Sequence, residues 1–399
     1  MRSAVIVDAV RTAVGKGKPG GALSGLHPVD LYATTLRALV DRVGLDPALV
    51  EDAITGCVSQ VGEQSVNLGR NAVLSAGFPA HVPATTIDRQ CGSSQQAVHF
   101  AAQGIMAGAY DVVIAGGAEL MSRVPLGSSS MGKAPRGSMY RERFADGLPN
   151  QGVAAELIAA QWKLSRGELD EFAARSHHRA AKAQEAGSFA SEIVPIDVPD
   201  GSGGIVTHAV DETVRGGTTV DALANLSASF RDDAWSERYP EIGWHITPGN
   251  SSPLTDGASA MLIMSEERAA ELGLRARARI HAFSVVGDDP LLMLTGPIPA
   301  TRRVLERANL KIDDIDVFEV NEAFASVPLA WARELGVDED KLNPWGGAIA
   351  LGHPLGASGT KLMTTMLSYL EFTGGRFGLQ TMCEGGGMAN ATIIERLPA

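Results

Sequence analysis

The sequence predicts an α/β protein made of two similar halves with a compositionally different insertion between them. Three observations predict it. Apolar runs of strand length alternate with segments of helical period. The order of elements near the start of the chain returns in the last third. Between the two, residues 121–249 carry Gly/Ser/Pro-rich stretches unlike either flank.

In order, the pattern predicts a strand over 4–10 and an amphipathic helix over 29–43, with Leu31, Leu36, Leu39, Val40 and Val43 near one face. A short strand follows over 53–58, then a strand over 83–87, a helix over 93–108 and a buried strand over 112–116. The last third repeats the theme with a helix over 300–308, a strand over 316–320, a helix over 359–370 and a strand over 379–383. A single offset aligns the acidic pair Glu51-Asp52 with Asp313-Asp314, and it sets Cys91 opposite His353. In both halves the next strand runs into glycines, Gly116-Gly117 and Gly385-Gly386-Gly387. We read this as internal duplication, with both halves presenting loops at a common seam. The division is 1–120 plus 251–270 for the first half, 121–250 for the insertion and 271–399 for the second. The insertion holds a helical segment over 152–187 and a basic patch (Arg123, Lys133, Arg136, Arg141, Arg143). Insertions of this kind often fold over ligands. The patch either draws in phosphates or is a solvated or subunit-contact face.

Composition narrows the function. With 45% hydrophobic and 20% charged residues, the 399-residue chain is that of a globular enzyme. A formal charge of −12 disfavours nucleic-acid binding. Three cysteines, Cys57, Cys91 and Cys383, cannot form a disulfide framework, so a reducing, cytoplasmic setting is expected. The opening run enters a strand at once and leaves no room for a signal peptide. The final Leu397-Pro398-Ala399 is not a peroxisomal signal. The richest apolar run, 97–120, is broken by His99, Gln103 and Asp111, so no membrane role is expected.

Four clusters carry chemistry. Cys91 lies in Asp88-Arg89-Gln90-Cys91-Gly92-Ser93-Ser94, where a strand turns into a helix. A thiol there sees free N–H groups and the positive dipole end, which favour thiolate. The alternative, a small buried cysteine, fits the polar neighbourhood poorly. His353 sits in Gly346-Gly347-Ala348-Ile349-Ala350-Leu351-Gly352-His353-Pro354-Leu355-Gly356, a stiff turn that suits a general base. Cys383 opens Cys383-Glu384-Gly385-Gly386-Gly387 at the carboxyl edge of a strand, where α/β sheets bind ligands, and the glycines let backbone N–H groups approach an oxygen. Asn321-Glu322-Ala323-Phe324 follows another strand. Its asparagine either holds a water or caps a helix. No cluster has metal-ligand spacing and no Gly-x-Gly-x-x-Gly follows the first strand, so neither a metal nor a bound cofactor is expected.

Together these motifs resemble the thiolase family, the 3-ketoacyl-CoA thiolases and acetyl-CoA acetyltransferases. Arg11-Thr12-Ala13-Val14-Gly15-Lys16 and Gly249-Asn250-Ser251-Ser252 extend the likeness over essentially the whole chain. The resemblance implies a thiolase fold, a five-layer αβαβα sandwich. It implies that Cys91 is acylated, that His353 activates it, and that Cys383 is the acid/base at the α-carbon. It further implies that Asn321 positions a water in one oxyanion hole, that the N–H groups of Cys91 and Gly385 form the other, and that Arg215 and Ser252 contact coenzyme A. Coenzyme A and acyl-CoA are then substrates and partners, and the assembly a homodimer or homotetramer. The Gln-Cys-Gly-Ser-Ser-Gln-Gln string resembles degradative bacterial members of lipid or steroid catabolism, and Asn150-Gln151, where the biosynthetic branch carries His-Met, weakens a biosynthetic assignment. A biosynthetic acetyltransferase and a non-catalytic lipid-carrier or scaffold protein are the competing readings. Glu384 beside Cys383 would raise that thiol's pKa if its charge faced it.

Overall fold

The computed structural model of the protein describes residues 2–398. Met1 and Ala399, the outermost residues of the expected division, lie outside the described residues. Along the main sheet run β1 (Ala4–Thr12), β2 (Asp52–Gly56), β3 (Ala84–Ile87), β4 (Val112–Leu120) and β5 (Thr255–Ser265). The chain continues through β6 (Ala278–Gly287), β7 (Val317–Val320), β8 (Phe377–Glu384) and β9 (Met388–Arg396). Their spatial order is β3-β2-β4-β5-β1, then β6-β9-β8-β7.

The two runs share one pairing pattern. β2 is parallel to β4 as β7 is to β8. β4 is antiparallel to β5 as β8 is to β9, and β5 to β1 as β9 to β6. A parallel bridge from Phe318 to Leu342 stands where β3 lies in the first run. A short antiparallel contact, Val5 with Arg279 and Ile6 with Ala278, joins the runs edge to edge.

Among the described residues, the helices of eight residues or more are α1 (Pro28–Val43), α2 (Leu68–Ser75), α3 (Ser93–Met106), α4 (Gln151–Gln161), α5 (Arg166–Glu185), α6 (Pro297–Ala308), α7 (Ser326–Leu335) and α8 (Ser358–Thr373). Side-chain alternation along β5 shows how the layers form. Leu262 and Met264 join an outer core with Leu36 and Leu39 of α1, whereas Met261 and Ile263 face the other way. That inner core holds Val98, Ala101 and Ile105 of α3 against Met363, Met366 and Leu370 of α8, and it reaches Ala278 and Ile280 on β6. On the far side Val304 of α6 and Trp331 of α7 pack with Leu379 and Ile393. The result is helix, sheet, paired central helices, sheet, helix. At the centre the helices nearly touch: a Cβ on Gly359 would lie 2.1 Å from the Gln95 nitrogen, so only glycine fits.

Two readings need correction. The helical segment expected over 152–187 is two helices. Lys163 takes a left-handed φ of 52°, and Ser165 with Glu168 then forms a capping box that restarts the chain as α5. The offset that set Cys91 opposite His353 is also wrong. The matching elements begin at Asp52 and Val317, Ser93 and Ser358, Val112 and Phe377, which puts Cys91 opposite Gly356. The acidic pair misled because Asp313-Asp314 lies in the connecting turn before β7, where length is free to drift, whereas Asp52 already opens β2. Strands β5, β6 and β9 were not foreseen. β6 interleaves apolar with half-exposed residues too irregularly for period-two counting.

Candidate active site

Cys91 sits on the turn entering α3, a turn tightened by Gln90 at a left-handed φ of 48°. Ser93 ties it, accepting from the Arg89 N–H at 2.9 Å and donating to the Gln90 carbonyl at 2.6 Å. The thiol is buried against Leu362 and Met382. Burial pushes it up to about 12, the Glu384 charge adds to this, and the backbone N–H groups of Cys91 and Gly385 pull the other way. The thiolate expected at this helix start is therefore not the resting form. Desolvation outweighs the two N–H groups and the dipole. Those same N–H groups both point at the Cys91 sulfur.

His353 is held from both sides. Its backbone N–H donates to Thr255 Oγ1 at 2.6 Å, and its Nδ1 lies 2.6 Å from Ser358 Oγ. Because the Ser358 hydroxyl donates to the Pro354 carbonyl at 2.8 Å, it accepts from Nδ1–H, which leaves Nε2 as the basic nitrogen. Asn321 Nδ2 lies 3.3 Å from that Nε2. Burial, with Lys361 nearby, lowers the ring to about 3, so it is neutral across the physiological range. Glu119 fastens the same turn to the other half of the molecule, accepting from Gly356 N–H at 3.0 Å as well as from Val58 and Ser59.

Cys383, near the end of β8, is buried. Desolvation first, then the Cys91 and Glu384 charges, raise its thiol well above the ordinary range. Asn321 follows β7, the neighbour of β8, and its N–H donates to the Thr381 carbonyl at 3.1 Å. It caps no helix, since α7 begins beyond Ala325. Its Oδ1 is buried without a protein partner. Cys91 lies close to Gly385 and Cys383, and Asn321, tied to β8, reaches His353, so the five residues are gathered from four segments. Gln90 and Gln151 flank the group, their side-chain amides 3.0 and 3.3 Å from where a Cβ on Gly385 would stand.

The two expected coenzyme A contacts lie apart. Ser252 donates to the Ala323 carbonyl at 3.2 Å, beside the Asn321 loop. Arg215 is exposed, its N–H bonded to His177 Nδ1 at 3.2 Å, and it touches none of the five. Of the basic patch, Arg123 pairs with Glu63 and the others are exposed. Sequence reasoning missed Ser358, Thr255 and Glu119. Only Ser358 left a trace, as a hydroxyl one helical turn beyond the histidine. Among the described residues no group of three His, Cys, Asp or Glu is placed to hold a metal, and no helix is long and apolar enough to cross a membrane.

Residues 4–267 match the family described as thiolase, N-terminal domain, and residues 274–396 match thiolase, C-terminal domain. The chain belongs to the thiolase family. It is 48% identical to a steroid 3-ketoacyl-CoA thiolase of Mycobacterium tuberculosis, over 100% of this chain and 95% of that one. It is 46% identical to a 3-ketoacyl-CoA thiolase of Serratia proteamaculans, over the whole of both. The crystal structure of an acetyl-CoA acetyltransferase of Bacillus anthracis superposes with a TM-score of 0.87 at 37% identity, covering 100% of this thiolase and 99% of that chain. The protein is therefore a thiolase in fold and chemistry. It is an acyltransferase that makes or breaks a carbon–carbon bond with coenzyme A as substrate, and its similar relatives include bacterial 3-ketoacyl-CoA thiolases.

Proposed function

We propose that this thiolase runs in the degradative direction, cleaving a 3-ketoacyl-CoA with CoA to acetyl-CoA and a shortened acyl-CoA. The observation that carries the mechanism is a buried, protonated Cys91 thiol in one site with a neutral imidazole whose Nε2 carries no proton and faces the Asn321 amide. Neither is charged at rest, so charge develops only when substrate is bound. His353 Nε2 takes the Cys91 proton and the thiolate adds to the ketone carbon. The bond between that carbon and the α-carbon then breaks, and Cys383 gives its proton to the departing acetyl-CoA carbanion. Acyl-Cys91 remains. Cys383, now thiolate, takes the proton of an incoming CoA thiol, which attacks the acyl carbon and expels Cys91, and Cys91 recovers its proton from His353. The N–H groups of Cys91 and Gly385 hold the oxygen on the acyl-cysteine, and Asn321 with a water and His353 holds the other. Each such donor is typically worth ~2.7–4 kcal/mol.

The degradative direction is favoured by the relatives and by Gln151, whose amide rests against Gly385. We assign Ser252 and Arg215 to the coenzyme A path, with 121–250 as the lid that completes it and 1–120 plus 251–270 and 271–399 as the two halves. We place the enzyme in the cytoplasm as a homodimer or homotetramer, which light scattering distinguishes. The deciding assay gives purified protein CoA with acetoacetyl-CoA, longer fatty 3-ketoacyl-CoAs and steroid 3-ketoacyl-CoAs, following loss of the ketoacyl absorbance. Cleavage of the longer substrates supports the proposal. Condensation of acetyl-CoA without their cleavage, or no turnover at all, overturns it.

A further inference from the structure

Glu384 is a buried ionisable group at the site that the mechanism leaves unused. It is fully buried, and neither carboxylate oxygen has a protein partner. Its carboxyl lies directly behind the nucleophile. A Cβ on Gly92 would stand 2.0 Å from Glu384 Oε1 and 2.7 Å from Asn390 Nδ2. Asn390 itself donates to the Gly92 carbonyl at 3.0 Å. Three segments thus close on one glycine: the turn carrying Cys91, the end of β8 and the facing residue of β9. The peptide that leaves Glu384 carries the Gly385 N–H, and the peptide that enters Gly92 leaves Cys91. A side chain wedged here sets the distance between the two turns that supply oxyanion donors.

We infer that Glu384 is a positioning residue for acyl transfer: as a neutral acid packed against Gly92 it holds the Cys91 and Gly385 turns in register, and as an anion it opposes thiolate formation at both cysteines. The charged and titratable groups around it are few. The turn before α3 offers Asp88, Arg89 and Cys91, β8 offers Cys383, and β9 presents only Met388 and Asn390. No ion pair joins Arg89 to Glu384 among the described residues. Burial, opposed by the Arg89 charge and reinforced by Asp88, pushes the carboxyl up to about 8. The sign follows. Below that pH the group is uncharged and the thiols are opposed chiefly by desolvation, with the Asp88 charge adding to it at Cys91. Above it the new negative charge raises both thiols further. Acylation is then held back in the range where ordinary thiols gain reactivity.

The inference rests on Cys91 as the nucleophile, and its test reads that thiol directly, apart from turnover. The rate of iodoacetamide alkylation at Cys91, located by peptide mapping, is followed from pH 6 to 10. In the wild type the expected rise with pH flattens near 8. In Glu384→Gln, which keeps the shape without the charge, the rise continues unbroken, and the alkaline limb of kcat/KM moves to higher pH by at least half a unit. A wild-type profile without an inflection, or matching profiles in the two proteins, overturns the electrostatic role. The wedge is tested separately. Gly92→Ala is expected to lose acylation at least tenfold and Gly92→Ala with Glu384→Ala to recover most of it, whereas additive losses overturn it.

Discussion

The two turns that face each other across the site are held by opposite means. The His353 turn is tied down by hydrogen bonds: Thr255 takes the backbone N–H, Ser358 takes Nδ1–H, and Glu119 takes the Gly356 N–H. Around Cys91 the polar groups are left open. Glu384, Asn390 Oδ1, Gln96 Oε1 and Arg89 Nε are all buried without a partner, and Gln90 sits at a positive φ. Natural proteins satisfy nearly all buried polar atoms, and the exceptions gather where a site works. A base needs one fixed orientation and one tautomer, which hydrogen bonds supply. A nucleophile that becomes acylated needs its donors unspent until an acyl oxygen arrives.

The contrast is broken most completely by removing the reacting groups. Cys91→Ser should lower thiolysis by on the order of 10³-fold or more and leave no acyl-enzyme in the mass spectrum, whereas Cys383→Ser should still acylate from an activated thioester. If those outcomes were exchanged, the two thiols would have exchanged roles. His353→Ala should cost roughly 10²–10⁴-fold in kcat, the usual worth of a positioned base. Because the imidazole is held near 3, kcat/KM for acylation should stay flat between pH 5 and 7. An acid limb at 6.5 would show an ordinary, solvated ring.

Smaller effects sharpen the comparison. Glu119→Ala strands the Ser59 and Gly356 N–H groups and the Gln64 amide, all buried, and should destabilise the fold by about 3 kcal/mol, read from the urea midpoint at unchanged slope. Ser358→Ala frees the imidazole to change tautomer. It should lower kcat by about tenfold, roughly 1.4 kcal/mol, with KM nearly constant, since it touches no substrate. A change in KM alone would place Ser358 in binding instead.

How much of this was legible in the sequence depends on the kind of contact. Cys91, His353 and Cys383 announce themselves because their chemistry needs local glycine turns, and turns are written in consecutive residues. The layered fold followed from alternation of period and from the likeness of the motifs. Thr255 and Glu119 left no mark. Each reaches its partner across about a hundred residues or more, and a Thr or Glu at a strand end has many other uses. Glu384 was visible as an odd neighbour of Cys383, but which way it faced was fixed only by the pairing of β8 with β9. The resting charge of Cys91 was misread because sequence shows the helix start and hides the burial.

Gln95 on α3 donates to the Gln380 carbonyl and to Thr392 Oγ1, and Asn390 reaches back to Gly92. The support for a thiol at position 91 thus comes from residues made almost three hundred positions later. Emerging from the ribosome, the first half carries its reactive sulfur with neither brace nor base, and competence arrives only with the final strand. A chain cut short anywhere before β9 would be an unfinished scaffold, never a weakened catalyst.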